Sequence, residues 1–96
     1  MFEVRQTETF AGWFRTLRDR QARARIQVRI DRLMLGNPGD VRPAGDGVSE
    51  LWIDYGPGCG IYFIRRGTTL IVLLAGGDKR TQSQDIEMAH HLAGSL

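Results

Sequence analysis

The sequence contains one cysteine, one lysine and no long apolar run, and each scarcity excludes a class of protein. Cys59 alone cannot form an intramolecular disulfide, and with only the adjacent pair His90 and His91 it lacks the ligand spacing of a metal site. We therefore expect no metal and no cofactor. No apolar run approaches the length that spans a bilayer, and the N-terminus lacks the pattern of a signal peptide. These absences predict a cytoplasmic protein that does not bind membranes.

The basic residues are almost all arginine, because Lys79 is the only lysine among thirteen basic residues. The net charge of +2 is unevenly distributed. Residues 1–35 carry eight arginines and four acidic residues, whereas residues 36–96 carry five basic and seven acidic residues. A basic half is typical of a protein with an anionic partner such as nucleic acid, but also of an arginine-rich helix face in water. Composition alone favours the second interpretation.

The length predicts a single domain over residues 1–96 with one hydrophobic core. A short strand over residues 2–5 precedes two helices, which begin after the N-cap residues Thr7 and Asp19. The second helix extends to about residue 35. Apolar residues recur at helical spacing in both, and these predict the core-facing stripes: Phe10, Trp13, Phe14 and Leu17, then Ala22, Ile26, Ile30 and Leu33.

The second half of the sequence predicts three strands and a helix. A loop over residues 36–47 leads to strands at about residues 48–55, 59–66 and 68–75, and Thr81 caps the last helix. The element order is then β-α-α-β-β-β-α. We expect an α+β fold in which an antiparallel sheet packs against the helical hairpin, while the C-terminal helix or a ligand covers the other face.

Several short segments follow one another at a spacing that resembles a known family. They are residues 29–33 and 36–40 at the end of the helical pair, residues 45–51, residues 55–58, and the run Gly76-Gly77-Asp78-Lys79 with Gln82, Asp85, Ile86 and Ala89. In this order they resemble the addiction-module killer proteins, the HigB-like members of the RelE/ParE toxin superfamily. The resemblance extends over almost the whole chain.

This resemblance implies a RelE/ParE-like fold with the element order given above, and the role of toxin in a type II toxin–antitoxin system. Members of the family inhibit translation as mRNA interferases, which are metal-independent endoribonucleases that cleave mRNA on the ribosome. The implied partners are a cognate helix-turn-helix antitoxin, the ribosome and mRNA, with operator DNA bound only through the antitoxin complex.

Two positions depart from the family pattern. The family usually has arginines where this chain has Trp52 and Gly60, and alternation places both positions on one face of the sheet. In the superfamily, arginines on this face hold the scissile phosphate. Since the loss of one preorganised donor typically costs about a hundred- to a thousand-fold in rate, we expect weakened cleavage.

Lys79, Arg80 and Tyr62 are the candidate catalytic residues. Lys79 and Arg80 come just before the last helix, whose free N–H groups favour an anion. Alternatively, Lys79 pairs with Asp78 or Asp85 and only anchors the turn. Tyr62 shares a face with Trp52 and Gly60, and donates a proton or stacks on a base, or else is a half-buried aromatic of the strand.

Six further residues are candidates for binding RNA or the ribosome, and each has a structural alternative. The second helix contributes a stripe of three arginines, Arg25, Arg29 and Arg32, which can also be a solvated edge. The first strand of the second half contributes Trp52, which can also be packed under a helix. The end of the next strand contributes Arg65 and Arg66, which can also flank a solvated turn. His90 and His91 occupy adjacent helical positions, and we expect both at the surface.

Two other functions remain open. The first is a non-cleaving binding module of the same fold that binds antitoxin, ribosome or a DNA complex. The second, a ParE-like gyrase poison, is less favoured because the C-terminal segment matches the HigB-like group.

Overall fold

The computed structural model describes all 96 residues as a five-stranded sheet with helices on both faces. The elements in chain order are β1 (Glu3–Gln6), α1 (Glu8–Thr16), α2 (Arg20–Met34), β2 (Val41–Pro43), β3 (Ser49–Ile53), β4 (Cys59–Arg66), β5 (Leu70–Asp78), a 3-10 turn (Lys79–Thr81) and α3 (Gln82–Gly94). The strands lie side by side in the order β1-β5-β4-β3-β2. The predicted α+β class is confirmed. None of the helices has the length and apolar character needed to cross a membrane.

The sheet is mixed, so the prediction of an antiparallel sheet is wrong at one edge. Strands β2 to β5 are antiparallel to their neighbours, but β1 runs parallel to β5, with Glu3 opposite Leu70 and Gln6 opposite Leu73. The alternation of apolar and polar residues that predicts β1 is the same for a parallel and an antiparallel strand. The sequence pattern therefore identifies the strand without its orientation.

Strand β2 is a further difference, because it lies within the predicted loop over residues 36–47. Its three residues pair with β3, with Val41 opposite Leu51 and Pro43 opposite Ser49. Such a short strand leaves no readable alternation, and a proline argues against a strand in the middle of a sheet. Pro43 is compatible with β2 because this strand forms the edge.

Helices α1 and α2 begin where the sequence predicts. The Thr7 hydroxyl accepts a hydrogen bond from the Phe10 N–H at 3.1 Å, and the Asp19 carboxylate accepts two from the first turn of α2. Together the two helices cover one face of the sheet, which we call the hairpin face. Its buried core consists of Phe10, Ile26, Ile30, Leu33, Leu51, Ile53, Ile61, Phe63, Ile71 and Leu73.

Helix α3 covers part of the opposite face, which we call the α3 face. The buried core on this side is smaller and consists of Val48, Tyr62, Ile64, Val72, Leu74, Ala75 and Ala89. Leu74 and Ala75 both belong to it although they are adjacent in β5, because the register with β4 shifts between Tyr62 and Phe63. The extra residue of this bulge shifts the alternation by one, so residues after it in β5 point to the opposite face from the one that simple alternation predicts.

Gly76 and Gly77 lie inside β5, whereas the sequence predicts that this strand ends at Ala75. A Cβ atom on Gly76 would overlap the Trp13 ring of α1, and a Cβ atom on Gly77 would overlap the Asp85 carboxylate of α3. The two glycines therefore allow the strand to continue while both helical layers approach its backbone.

We expect Gly76→Ala to destabilise the protein by about 1–3 kcal/mol, because the added methyl group overpacks the Trp13 contact. Gly12→Ala is the matched control, since Gly12 lies inside α1 and a Cβ atom there comes no closer than 3.9 Å to another group. That variant should be more stable than the wild type by roughly 0.5–1 kcal/mol. Urea denaturation measures both changes, and equal stabilities of the Gly76→Ala variant and the wild type would contradict this packing.

Candidate functional site

Trp52, Gly60 and Gly77 form a row across three strands on the α3 face. Trp52 of β3 is opposite Gly60 of β4, and Gly60 is opposite Gly77 of β5. The chain leaves β5 one residue after Gly77 and enters the turn that carries Lys79 and Arg80. The structure therefore brings the two basic candidates and Trp52 to the same end of the sheet.

A buried carboxylate occupies the next position along this face. Glu50 is 5% exposed and lies opposite Tyr62. One of its oxygens accepts hydrogen bonds from the Tyr62 hydroxyl at 2.9 Å and the Gln82 amide at 2.8 Å, and the other lies 3.3 Å from the Arg42 guanidinium. A buried charge needs such partners, and Gln82 belongs to α3, so Glu50 joins the helix to the sheet. Glu50 is not among the site residues predicted from the sequence, although an acidic residue on the inward side of an apolar strand is a visible signal.

Tyr62, a predicted catalytic residue, is 1% exposed and has its hydroxyl committed to Glu50. Burial raises the pKa of Tyr62, and the hydrogen bond and negative charge of Glu50 raise it further. The phenol is therefore a neutral donor that positions Glu50, and it has no open path to a bound RNA. The alternative of a packed strand aromatic is the one that the structure shows.

Gly60 is necessary for this arrangement of Tyr62. A Cβ atom on Gly60 would lie 2.6 Å from the Tyr62 hydroxyl oxygen, so any larger residue there has to displace the phenol. The half-buried Trp52 ring lies against Gly58, where a Cβ atom would overlap it.

The two basic candidates in the turn differ in their surroundings. The Arg80 guanidinium donates two hydrogen bonds to one oxygen of Asp78, at 3.1 and 2.6 Å. These bonds lower the pKa of Asp78 and raise that of Arg80. No hydrogen bond or ion pair within the chain engages the exposed Lys79 ammonium. Asp78 therefore pairs with Arg80 and not with Lys79 as the alternative interpretation predicts. Lys79 is the cation that remains available in this turn.

Asp85 lies at the same end of the sheet, and the sequence predicts it only as an alternative ion-pair partner of Lys79. Thr81 precedes α3 as predicted, but its hydroxyl donates to Asp85 at 2.6 Å instead of capping the helix. Burial raises the pKa of Asp85, the Thr81 hydrogen bond opposes this rise, and the Asp78 charge adds to it. A carboxylate with a raised pKa is a better proton acceptor near neutral pH than an ordinary one. The only signal of this Asp85 position in the sequence is Gly77, because the absence of a side chain there leaves space for the carboxylate.

The arginine stripe of α2 belongs to the other helical layer. The Arg29 guanidinium donates to the carbonyl oxygens of Pro38 and Trp52 at 3.1 Å each, and of Asp40 at 3.4 Å, so it ties the loop after α2 to the edge of β3. Arg25 lies over the Tyr55 ring, 4.8 Å from its centroid. Only the third member of the stripe, Arg32, is exposed without a partner within the chain.

Arg65 and Arg66 lie at the far end of β4, five and six residues from Gly60. Both are exposed, and the Arg65 guanidinium lies over the Phe2 ring at 5.6 Å. The structure thus divides the predicted residues among three places: the row with its turn, the α2 stripe and the end of β4. No group of three or more histidine, cysteine, aspartate or glutamate side chains is arranged to hold a metal ion.

A comparison with known proteins gives one relative of nearly the same length. An uncharacterized protein of Haemophilus influenzae is 43% identical over 94 residues, which cover 98% of this chain and 95% of that protein. No family model matches the chain. The compared region therefore spans nearly the whole chain.

The two tyrosines offer a matched test of the buried Glu50. We expect Tyr62→Phe to lower the free energy of unfolding by about 1–3 kcal/mol, because Glu50 loses one of its buried hydrogen bonds. In Tyr55→Phe the lost bond is the exposed one to Asp19, so the decrease should be markedly smaller. Denaturant unfolding of both variants measures the difference, and equal losses would contradict the role of the Glu50 contact.

Proposed function

The chain belongs to the same protein family as this Haemophilus influenzae relative, and we propose that it is the toxin of a type II toxin–antitoxin module, which binds RNA on its α3 face and cleaves it weakly. One observation carries this proposal: the available cation Lys79 lies in the turn just after Gly77, the glycine that the Asp85 carboxylate contacts and that shares its row with Trp52. Lys79, Asp85 and Trp52 supply positive charge, a proton acceptor and an aromatic surface for a base.

The order of elements supports membership of the RelE/ParE superfamily. A helical hairpin follows the first strand, antiparallel strands joined in sequence form the rest of the sheet, and a C-terminal helix lies on the opposite face. The short strand β2 is an addition to the expected order. In this proposal the protein acts in the cytoplasm on mRNA bound to the ribosome, a helix-turn-helix antitoxin neutralises it, and operator DNA is bound only by the complex.

Cleavage without a metal proceeds by attack of the ribose 2′-oxygen on the adjacent phosphorus, while the bond to the 5′-oxygen breaks. Asp85 accepts the proton of the 2′-hydroxyl, since its raised pKa suits it to this role. The Lys79 ammonium stabilises the negative charge that develops on the phosphate. Trp52 stacks on a neighbouring base and holds the strand across the row. Water protonates the departing 5′-oxygen.

Three features make this a weak nuclease. The arginines that the family resemblance leads us to expect are replaced by Trp52 and Gly60, and Tyr62 blocks a larger residue at position 60. Arg80 is paired with Asp78. The buried Glu50 adds negative charge close to where a phosphate would be held. With a cost of about a hundred- to a thousand-fold for each missing donor, Lys79 alone leaves only a small part of the rate of a complete site.

A second candidate function is a binding module that does not cleave. The observation that favours it is that the Tyr62 hydroxyl already donates its hydrogen bond to Glu50. This end of the sheet is then left without a side-chain acid that could protonate the leaving oxygen. Lys79 and Trp52 would then bind RNA or the ribosome without chemistry.

Primer extension on a translated message separates these functions. We expect faint cleavage by the wild type, a loss of at least tenfold in Lys79→Ala, and a much smaller loss in the matched Arg80→Ala, because Asp78 already neutralises Arg80. Trp52→Arg should raise cleavage by about a hundredfold or more, since it returns a charge to the row without disturbing Tyr62.

Circular dichroism confirms that each variant is folded, and growth arrest on induced expression should follow the same order. Strong cleavage by the wild type that Lys79→Ala leaves unchanged would overturn the proposed site. No cleavage by either the wild type or Trp52→Arg, with RNA binding intact, would favour the binding module.

A further inference from the structure

A pocket of about 420 Å³ lies at the other end of α3, away from the row with its turn. Gly60 and Arg66 are six residue steps apart along β4, and the rise of a strand makes this a distance of about 20 Å. The pocket lies between the end of β4, the end of α3 and the turn that joins β2 to β3. Its lining residues are Asp46, Gly47, Ile64, Arg65, Arg66, His90, Ala93 and Gly94. The volume is within the usual range for sites that hold small molecules, roughly 300–1,000 Å³.

This pocket contains one unpaired cation. Arg66 is exposed and forms no hydrogen bond or ion pair within the chain. The Arg65 guanidinium instead lies over the Phe2 ring, which packs on the hairpin face. The single carboxylate in the lining, Asp46, is 86% exposed and lies 3.9 Å from a ring nitrogen of His90. That separation exceeds a hydrogen bond, and Asp46 forms no ion pair with Arg65 or Arg66.

His90 is half-buried and fixed in this pocket, whereas the sequence predicts that it lies free at the surface. Its Nε2 atom is 2.7 Å from the carbonyl oxygen of Ala44. A carbonyl only accepts, so Nε2 carries a proton and donates it. The Nδ1 atom is the one near Asp46. His91 is exposed, as predicted.

The turn from Gly45 to Gly47 has an unusual backbone. All three residues have positive φ, of 91°, 53° and 81°, and Asp46 is the only non-glycine residue of the chain with this conformation. None of the three N–H groups donates a hydrogen bond within the chain, although Ala44 and Val48 on either side do. Consecutive unpaired N–H groups in a turn form a concavity that suits an anion. A non-glycine residue in this region costs about 1–2 kcal/mol, and such strain is concentrated at functional sites.

We propose that this pocket binds a phosphate group, held by the Arg66 guanidinium and the N–H groups of the Gly45–Gly47 turn. The source of the phosphate rests on the proposed function: a single-stranded RNA that crosses the row with its turn continues along α3, and one of its backbone phosphates enters the pocket. The contact supplies affinity and register without reading the base sequence.

The test is a titration of ¹⁵N-labelled protein, followed by amide shifts, with three probes: inorganic phosphate, uridine monophosphate and an eight-uridine RNA. We expect the amide signals of residues 45–47 and 65–66 to shift with each probe. Arg66→Gln should weaken binding of the RNA by about tenfold, since a charge-assisted hydrogen bond to phosphate is lost. Arg15→Gln is the matched control, because Arg15 is an exposed arginine of α1 outside the pocket, and it should bind like the wild type.

The three probes also distinguish the sources of the phosphate. Shifts with phosphate and the mononucleotide but none with RNA would overturn the assignment to an RNA backbone and leave a small phosphate ligand. No shift at residues 45–47 and 65–66 with any probe, or equal binding by Arg66→Gln and Arg15→Gln, would overturn the pocket itself. Cleavage and growth arrest depend on Lys79 at the other end of α3, so failure of this titration is separate from failure of the proposed function.

Discussion

The close approach of two helical layers to adjacent residues of β5 is the constraint on which the rest of the structure depends. Gly76 accepts the Trp13 ring of α1 on the hairpin face, and Gly77 accepts the Asp85 carboxylate of α3 on the α3 face. A side chain at either position would separate one layer from the sheet. Because α3 is held this close, Gln82 reaches Glu50 and the turn with Lys79 lies beside the row of Trp52 and Gly60.

Internal contacts engage several of the basic side chains, which limits the charge available for the proposed binding of RNA. The Arg29 guanidinium satisfies backbone carbonyls, Arg25 covers Tyr55, and Arg80 is paired with Asp78. The composition therefore overstates the positive charge that is available to a partner. Lys79 near the row and Arg66 at the far pocket remain unpaired on the α3 face, which fits RNA binding along α3 better than strong catalysis.

The sequence predicts most of the fold, because periodicity and N-caps are local signals. The N-caps Thr7 and Asp19 and the limits of β4 are confirmed. The direction of a strand and the hydrogen-bond partners of a side chain depend on contacts between residues far apart in the chain. For these features the predictions are wrong or absent. The parallel pairing of β1 shares its alternation with antiparallel strands. The Tyr62–Glu50 contact joins residues of two strands, and the His90–Ala44 contact spans 46 residues, so no local pattern indicates either.

The two tryptophans permit the most direct measurement, because they lie on opposite faces. Trp13 packs against Gly76 on the hairpin face, and Trp52 is half-buried on the α3 face. In Trp13→Phe the only fluorescent indole is Trp52, and in Trp52→Phe it is Trp13. We expect a single-stranded RNA to quench the fluorescence of the Trp13→Phe protein, through stacking on Trp52, and to leave that of Trp52→Phe unchanged. Quenching of Trp13 alone, or of neither indole, would contradict RNA binding on the α3 face.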